Sequence, residues 1–265
     1  MREIQENEYI LNNEIYCSMC NTPKTFTFEN HKHIPINCSC AKKKFEEESL
    51  KRKQQEEQIK ARSLKNISSM NEMYQRMSFE TLDMNRPESF VKAVKFCKQY
   101  AKDLADNYVK YKKEGVQKGL YLYGTCGLGK TLLSSCIANY LINERGLMCL
   151  FTTYGKLEEK TLDFNTPELF WYQLKNVPLL IIDDLGTERF IKSDGSISKS
   201  HTKFHEIIDY RYSSFLPTIF NSNNTVSELC QEYGLMVKTA DRINAMCQGK
   251  ITLTGTSYRA VRKEK

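Results

Sequence analysis

The chain has 265 residues, of which 40% are hydrophobic and 27% charged, and its formal net charge is +7. This composition is typical of a globular protein with one large domain and room for a small one, and it excludes a mainly disordered chain. The sequence lacks both the roughly 20 consecutive apolar residues of a membrane helix and a secretory signal, so we expect a cytoplasmic protein that does not bind membranes.

Four of the ten cysteines are clustered near the start of the chain, as a CxxC pair and a CxC pair: Cys17, Cys20, Cys38 and Cys40. A CxxC turn can donate two thiolates to one tetrahedral zinc ion, and the second pair completes four soft ligands, although CxC is a less common spacing. We therefore predict a zinc-binding module over residues 1–41, in which the metal supplies the folding free energy. Free thiols are the alternative. His31 or His33 could replace one cysteine, but their polar loop favours histidines that do not bind the metal.

A charged stretch over residues 42–77 follows the cysteines and contains neither glycine nor proline. Because it is rich in strong helix formers, we predict a solvated helical linker. Its apolar residues are too sparse for a sustained heptad, so a coiled coil is the less supported alternative.

The remainder of the chain alternates between helix and strand patterns. Apolar residues recur at intervals of three and four from Glu88 to Lys113, which predicts an amphipathic helix. Five apolar runs follow, at Leu120–Tyr123, Met148–Thr152, Leu179–Ile182, Thr218–Phe220 and Ile251–Leu253. Continuous apolar strands separated by helices favour a parallel sheet covered on both faces, so we predict a doubly wound α/β domain over residues 78–265.

A glycine-rich motif lies between the first of these strands and the next helix. It has the form GxxxxGK[ST] and consists of Gly124, Thr125, Cys126, Gly127, Leu128, Gly129, Lys130 and Thr131. The glycines allow backbone N–H groups to surround a phosphate, and the helix N-terminus adds a partial positive charge. We predict that the motif binds ATP, with Lys130 at the β- and γ-phosphates and Thr131 on Mg²⁺. A glycine turn without a ligand is the alternative, and the strand–motif–helix context weighs against it.

Two acidic residues, Asp183 and Asp184, end the strand that begins near Leu179. In a parallel sheet this end lies beside the phosphate loop, so we predict that Asp183 binds the same Mg²⁺. Asp184 is positioned to orient the attacking water, a role often filled by a longer Glu, so hydrolysis is expected to be slow. A plain turn residue at the strand end is the alternative for Asp184.

The strand ending at Phe220 is followed by amides and a hydroxyl, Asn221-Ser222-Asn223-Asn224. Amides at this edge can sense a γ-phosphate or its water, and a polar loop cap is the alternative. Arg242 is a candidate to reach the γ-phosphate of a neighbouring subunit, because phosphoryl transfer gains from a cation supplied in trans. From the residues alone, a surface salt bridge is the better explanation of Arg242.

Several segments of the large domain match one family together. They are Ser78–Leu82, Gly119–Gly124, Leu180–Glu188, Ile207–Tyr212, Pro217–Asn223, Asp241–Ile243 and Ser257–Arg259. They resemble the AAA+ ATPases of the DnaC/DnaI type, which are bacterial and phage loaders of the replicative helicase, and the related IstB-like transposition ATPases. The resemblance implies a P-loop AAA+ (ASCE) sheet of five parallel strands in the order 5-1-4-3-2, with little or no C-terminal lid.

The resemblance also assigns residues to roles. It implies that Asn223 is the sensor on the fourth strand, Arg242 the arginine that acts in trans, and Arg259 a second sensor. Lys238 stands where some relatives carry another arginine, so that contribution is in doubt.

The function implied is ATP-dependent loading of a hexameric replicative DNA helicase. The zinc module would dock on the helicase, while the ATPase domains assemble as an ATP-dependent homo-oligomer and bind single-stranded DNA. An IstB-like transposition helper is one alternative, and a regulatory adaptor that binds nucleotide with little turnover is another.

The segment from Glu188 to His201 carries basic and aromatic side chains, including Arg189, Phe190 and Lys199. A flexible cationic loop with a ring that can stack on bases suits a single strand, and the net charge permits such binding. For any one of these residues taken alone, an ordinary solvated loop is the better explanation.

Overall fold

The structure, a computed structural model, describes residues 5–12, 14–27, 33–52, 71–191 and 196–258. The chain divides into two compact units, Met1–Glu56 and Glu57–Lys265. The predicted boundaries near residues 41 and 77 stay predictions, since residues 53–70 of the expected linker lie outside the described residues.

The first unit is built from two short antiparallel hairpins and a helix. Strands β1 (Glu8–Leu11) and β2 (Glu14–Cys17) form the first hairpin, and β3 (Thr25–Thr27) pairs with β4 (His33–Pro35). Residues 39–52 are helical and are called α1. So small a unit buries few apolar side chains, so its apolar core alone contributes little stability.

The second unit begins with two short turns of helix and one long helix. They are α2 (Glu72–Gln75), a 3-10 turn (Phe79–Thr81) and α3 (Glu88–Glu114). Helix α3 confirms the predicted amphipathic helix, because it buries one apolar stripe. It is capped by Gly115, whose left-handed φ of 68° favours glycine.

Five parallel strands form the sheet of this unit. They are β5 (Gly119–Tyr123), β6 (Cys149–Thr153), β7 (Leu179–Leu185), β8 (Thr218–Ser222) and β9 (Cys247–Thr252). Their order is β6-β7-β8-β5-β9, which reads 5-1-4-3-2 when the strands are numbered along the domain. The predicted parallel α/β class is confirmed. The last strand begins four residues before the apolar run that predicted it, because Cys247 already pairs with Gly119.

Helices cover both faces of the sheet. Beside α3 they are α4 (Lys130–Arg145), α5 (Tyr154–Leu162), α6 (Glu168–Asn176), α7 (Lys199–Ser213), α8 (Val226–Gln231) and α9 (Val237–Met246). Side chains of α3 and α4 pack on one face, and those of α5 to α9 pack on the other. Among the described residues, no helix has the length and apolar character needed to cross a bilayer.

Arg211 on α7 is fully buried without a carboxylate partner in the described part of the chain. Its guanidinium instead donates hydrogen bonds of 2.6 to 3.2 Å to the Thr218 hydroxyl and to the carbonyl oxygens of Leu174, Lys175, Val177 and Pro217. These carbonyls include the unpaired C-terminal end of α6, so Arg211 joins α6, α7 and the start of β8.

Candidate functional site

The phosphate loop, Gly124 to Lys130, connects β5 to α4. Gly124, Gly127 and Gly129 have φ angles of 144°, 80° and 103°, which side chains other than glycine rarely adopt. A Cβ on Gly124 would overlap the Leu253 carbonyl oxygen, and one on Gly127 would overlap the Ser257 hydroxyl. The loop therefore requires its glycines for conformation and for close packing.

Lys130 is folded back over this loop and is only 7% exposed. Its Nζ donates hydrogen bonds to the carbonyl oxygens of Gly124 (2.6 Å) and Thr125 (3.0 Å) and to Asn223 Oδ1 (2.7 Å). Asn223 also donates from Nδ2 to Cys126 Sγ over 3.3 Å. The structure thus brings the predicted lysine and the predicted sensor amide together at the end of β8.

Thr131 and Asp183 lie side by side, as the predicted magnesium site requires. The Thr131 hydroxyl is 2.9 Å from Asp183 Oδ2 and 3.2 Å from Oδ1. Burial raises the pKa of the Asp183 carboxyl, and the charge of Asp184 raises it further, while hydrogen bonds from Asn221 and Thr131 oppose the shift. A hydroxyl and a carboxylate are hard oxygen donors, so these residues fit Mg²⁺.

Asn221 was not assigned a role of its own from the sequence, yet it lies at the centre of this arrangement. Its fully buried Nδ2 donates to Asp183 Oδ1 (2.8 Å) and to Ser134 Oγ (2.7 Å). Ser134 in turn donates to the Thr131 carbonyl over 3.1 Å. Strand register is the signal that could have found this residue, because Phe220 pairs with Ile182 and therefore sets Asn221 beside Asp183.

Asp184 is exposed at the same strand end and has a left-handed φ of 54°. Its carbonyl accepts hydrogen bonds from the Thr187 N–H (3.3 Å) and hydroxyl (2.9 Å), and the β7–β8 register shifts between Ile182 and Leu185. The backbone of Asp184 therefore forms a turn, while its carboxylate faces solvent at the edge that carries the phosphate loop.

Arg242 lies on α9 with partners outside the phosphate loop. Its Nε donates to Asp209 Oδ1 over 2.9 Å, its guanidinium is 4.7 Å from the Tyr212 ring centre, and Nη1 is 3.5 Å from Asp241. The salt bridge expected from the residues alone is therefore present within the chain. Arg259, the other predicted arginine, lies outside the described residues.

Two side chains suggested for DNA contact are unavailable for it. Phe190 and His201 are both fully buried, and their ring centres lie 5.0 Å apart. The suggestion of a ring that stacks on bases is therefore wrong for Phe190, because its ring is buried in the apolar core with Tyr154 and Phe204. Arg189 and Lys199 are exposed.

The four N-terminal cysteines form a single cluster within the first unit. The sulfur atoms of Cys17, Cys20, Cys38 and Cys40 all lie within 4.8 Å of one another. Sγ of Cys40 is 3.6 Å from that of Cys17 and 3.2 Å from that of Cys38. Four thiolates about 2.3 Å from a tetrahedral zinc are about 3.8 Å apart, so the donor set fits this metal.

The protonation of the thiols fits a metal as well. A hydrogen bond from the Thr22 hydroxyl lowers the pKa of the Cys20 thiol to about 5, and backbone hydrogen bonds, first that of Met19, lower the pKa of Cys17. Interaction with Cys38 raises the pKa of the Cys40 thiol to about 12. Because adjacent thiolates repel, a divalent cation is what allows all four to ionise together. The side chains of His31 and His33 lie outside the described part of the structure.

Comparison with known proteins gives one consistent set of relatives. No family model matches the chain. The replicative helicase loader DnaI of Bacillus subtilis (strain 168) is 26% identical over 218 residues, which cover 81% of this chain and 65% of that protein. The chain thus spans slightly less than two thirds of the length of this relative.

Solved structures agree with this relative. The crystal structure of DnaI superposes with a TM-score of 0.54 at 26% identity and covers 72% of this chain and 94% of that one. The DnaC helicase loader superposes with a TM-score of 0.55 at 23% identity, covering 69% and 100%, which shows a shared fold. The predicted resemblance is confirmed: the chain is similar to AAA+ helicase loaders of the DnaC/DnaI type.

Proposed function

We propose that this protein is an ATP-dependent loader of a replicative DNA helicase. The observation that carries the ATP-binding part is the meeting of Lys130, Thr131 and Asp183 at one end of the sheet, with Thr131 Oγ1 2.9 Å from Asp183. The loader part rests on the similarity to DnaI, which is named as a replicative helicase loader.

In this proposal the phosphate loop binds ATP through its backbone N–H groups, and Lys130 neutralises the β- and γ-phosphates. Thr131 and Asp183 hold Mg²⁺, which supplies positive charge to the phosphates when bound. Asn221 orients the Asp183 carboxylate by donating a hydrogen bond to its Oδ1. The buried amide and hydroxyl around Asp183 keep its oxygens aimed at the loop.

Hydrolysis is assigned to an acid and an amide near the phosphate loop, Asp184 and Asn223, and to two arginines, Arg242 and Arg259. Asp184 orients the attacking water from its exposed position near the end of β7. Asn223, already hydrogen-bonded to Lys130, senses the γ-phosphate, and Arg259 is proposed as the second sensor. Arg242 leaves Asp209 and reaches the site of a neighbouring copy, so that turnover depends on assembly into a homo-oligomer.

The cysteine cluster is proposed to bind one structural Zn²⁺ and to fold the first unit into a module that docks on the hexameric helicase. ATP binding and hydrolysis then change the affinity of the loader for the helicase and for single-stranded DNA. Arg189 and Lys199 are exposed cations that suit contact with phosphates of the DNA strand.

The decisive experiment is co-purification of the full chain with the replicative helicase of its host, with and without ATP and Mg²⁺. We expect a complex that depends on nucleotide, and Lys130→Ala to lose both ATP binding and this dependence. A matched control is Lys110→Ala, which removes an exposed lysine of α3.

Two outcomes would reject the loader assignment in favour of its alternatives. Binding to a transposase and not to the helicase would identify a transposition helper. Helicase binding without any ATP turnover, in the presence or absence of single-stranded DNA, would identify a regulatory adaptor. Unchanged ATP affinity in Lys130→Ala would reject the nucleotide site itself.

A further inference from the structure

Arg86 precedes α3 and lies between two aromatic rings. Its guanidinium carbon is 4.4 Å from the ring centre of Phe90 and 4.3 Å from that of Tyr258. Phe90 belongs to the first turn of α3, whereas Tyr258 follows β9, so the two rings come from distant parts of the second unit. The two rings contact the flat faces of the guanidinium, so its N–H groups, which point outward in the guanidinium plane, remain available for other partners.

No such partner is supplied by the described part of the chain. Within it, no carboxylate forms an ion pair with Arg86, and its Nε–H is buried without a hydrogen-bond acceptor. Because Nε has no contact with solvent, an anion from outside the chain would meet the Nη groups, which have no hydrogen-bond or ion-pair partner in the same described residues.

The two residues whose rings hold Arg86, Phe90 and Tyr258, both contact the phosphate loop. A Cβ on Gly129 would come within 2.7 Å of the Phe90 ring and 3.5 Å of Arg86 Nη1. On the other side, the Tyr258 N–H donates to the Gly127 carbonyl over 3.2 Å, and the Ser257 side chain packs against Gly127. The guanidinium is therefore positioned against Gly129, the last glycine before Lys130, and the backbone of Tyr258 is hydrogen-bonded to the loop at Gly127.

We propose that Arg86 is a further nucleotide-binding residue, which donates from its guanidinium edge to the phosphate chain of the nucleotide in the loop. This inference rests on the proposed ATP site and adds a binding cation that the GxxxxGK[ST] motif does not contain. Phe90 and Tyr258 are positioning residues, because they act through the orientation of Arg86.

The test compares the ATP affinity of Arg86→Gln and of wild-type protein by titration at several salt concentrations. Loss of a charge-assisted hydrogen bond to phosphate lowers affinity roughly tenfold or more, and the salt dependence of binding becomes shallower because one fewer cation meets the anion. The matched control is Lys92→Gln, which removes an exposed cation of α3 that is paired with Glu88. We expect this control to bind ATP as the wild type does.

A role of Arg86 that is only structural is separated by thermal unfolding with and without ATP. Arg86→Gln can lower the melting temperature of the nucleotide-free protein for structural reasons alone. The inference requires in addition that ATP raises the melting temperature of Arg86→Gln by less than it raises that of the wild type. Tyr258→Phe keeps a ring over the guanidinium and should retain affinity close to that of the wild type.

The inference would be overturned if Arg86→Gln bound ATP with the affinity and salt dependence of the wild type while Lys130→Ala lost binding. That result would leave the proposed ATP site intact. Absence of ATP binding in the wild type would instead reject the proposed function.

Discussion

Asn221 Nδ2 donates a hydrogen bond of 2.8 Å to Oδ1 of Asp183, so a buried amide on β8 fixes the carboxylate at the end of β7. We expect Asn221→Ala to lower Mg²⁺-dependent ATP turnover by about 10- to 100-fold, because a metal ligand that loses its supporting hydrogen bond is no longer oriented. Turnover measured against Mg²⁺ concentration checks this. Asn244→Ala removes an exposed amide on α9 and is the control, and equal turnover in both variants would contradict the role of Asn221.

The trans role of Arg242 predicts complementation between two inactive variants. Arg242→Ala should bind ATP normally but lose assembly-dependent turnover, and Lys130→Ala should lose ATP binding. Mixing the two should restore turnover, because an intact phosphate loop then meets an intact arginine from another copy. Asp209→Asn breaks the ion pair of Arg242 within the chain and should retain turnover. Normal turnover of Arg242→Ala in the assembled state would remove it from this role.

The zinc proposal predicts a metal content of about one ion per chain in protein purified without chelator. Cys17→Ser should lose that ion, since three thiolates hold zinc less well than four, and the first unit should become sensitive to protease because the metal supplies its folding free energy. Elemental analysis gives the stoichiometry. Cys230→Ser alters a half-buried thiol of α8 and should retain the zinc. A zinc-free wild type would end the proposal.

Arg211→Lys should destabilise the second unit by about 3 kcal/mol or more, because an ammonium cannot replace the several hydrogen bonds of the guanidinium and leaves buried carbonyls unpaired. Burial lowers the pKa of Arg211 to about 9, which reflects the cost of holding a cation in this position. Urea unfolding followed by Trp171 fluorescence reports on α6 directly. Arg145→Lys at an exposed pair should change stability by less than about 0.5 kcal/mol.

Stability should decrease in mild acid because of His201. Burial first, and then the neighbouring His205 and Lys238, lower the pKa of this imidazole to about 4. At pH values between about 6.5, the pKa of His201 in the unfolded chain, and about 4, the unfolded chain binds more protons than the folded protein. The free energy of unfolding therefore falls as the pH falls through this range.

For His201 alone the fall is about 2 kcal/mol between pH about 7 and about 5. Urea unfolding at both pH values measures it. His201→Gln keeps an acceptor for the Met236 N–H but cannot titrate, so it should show a smaller fall. The same fall in this variant and in the wild type would assign the effect to other groups.

Much of the second unit was predictable because its signals are local. The apolar runs fix the strands, and the glycines with Lys130 and Thr131 fix the phosphate loop, since each depends on residues close in sequence. Asp183 was predictable for a related reason: in a parallel sheet, the carboxyl ends of strands meet at one edge.

Residues that act through distant contacts could not be predicted in this way. Arg86 has meaning only once Phe90 and Tyr258 are brought together, and Asn221 only once the register of β7 and β8 is known. Phe190 was predicted to be exposed because it lies in a polar segment, but its ring is buried in the core formed by α5 and α7.

The left-handed φ of 54° at Asp184 bears on why a short acid stands where a longer Glu often does. Asp and Asn tolerate this region several-fold better than most residues, because a short polar side chain can bond locally to the backbone. Lengthening the side chain to bring its carboxylate closer to the water would therefore strain the turn held by Thr187. The slow turnover expected from Asp184 would then follow from the conformation of the chain as much as from the chemistry of its carboxylate.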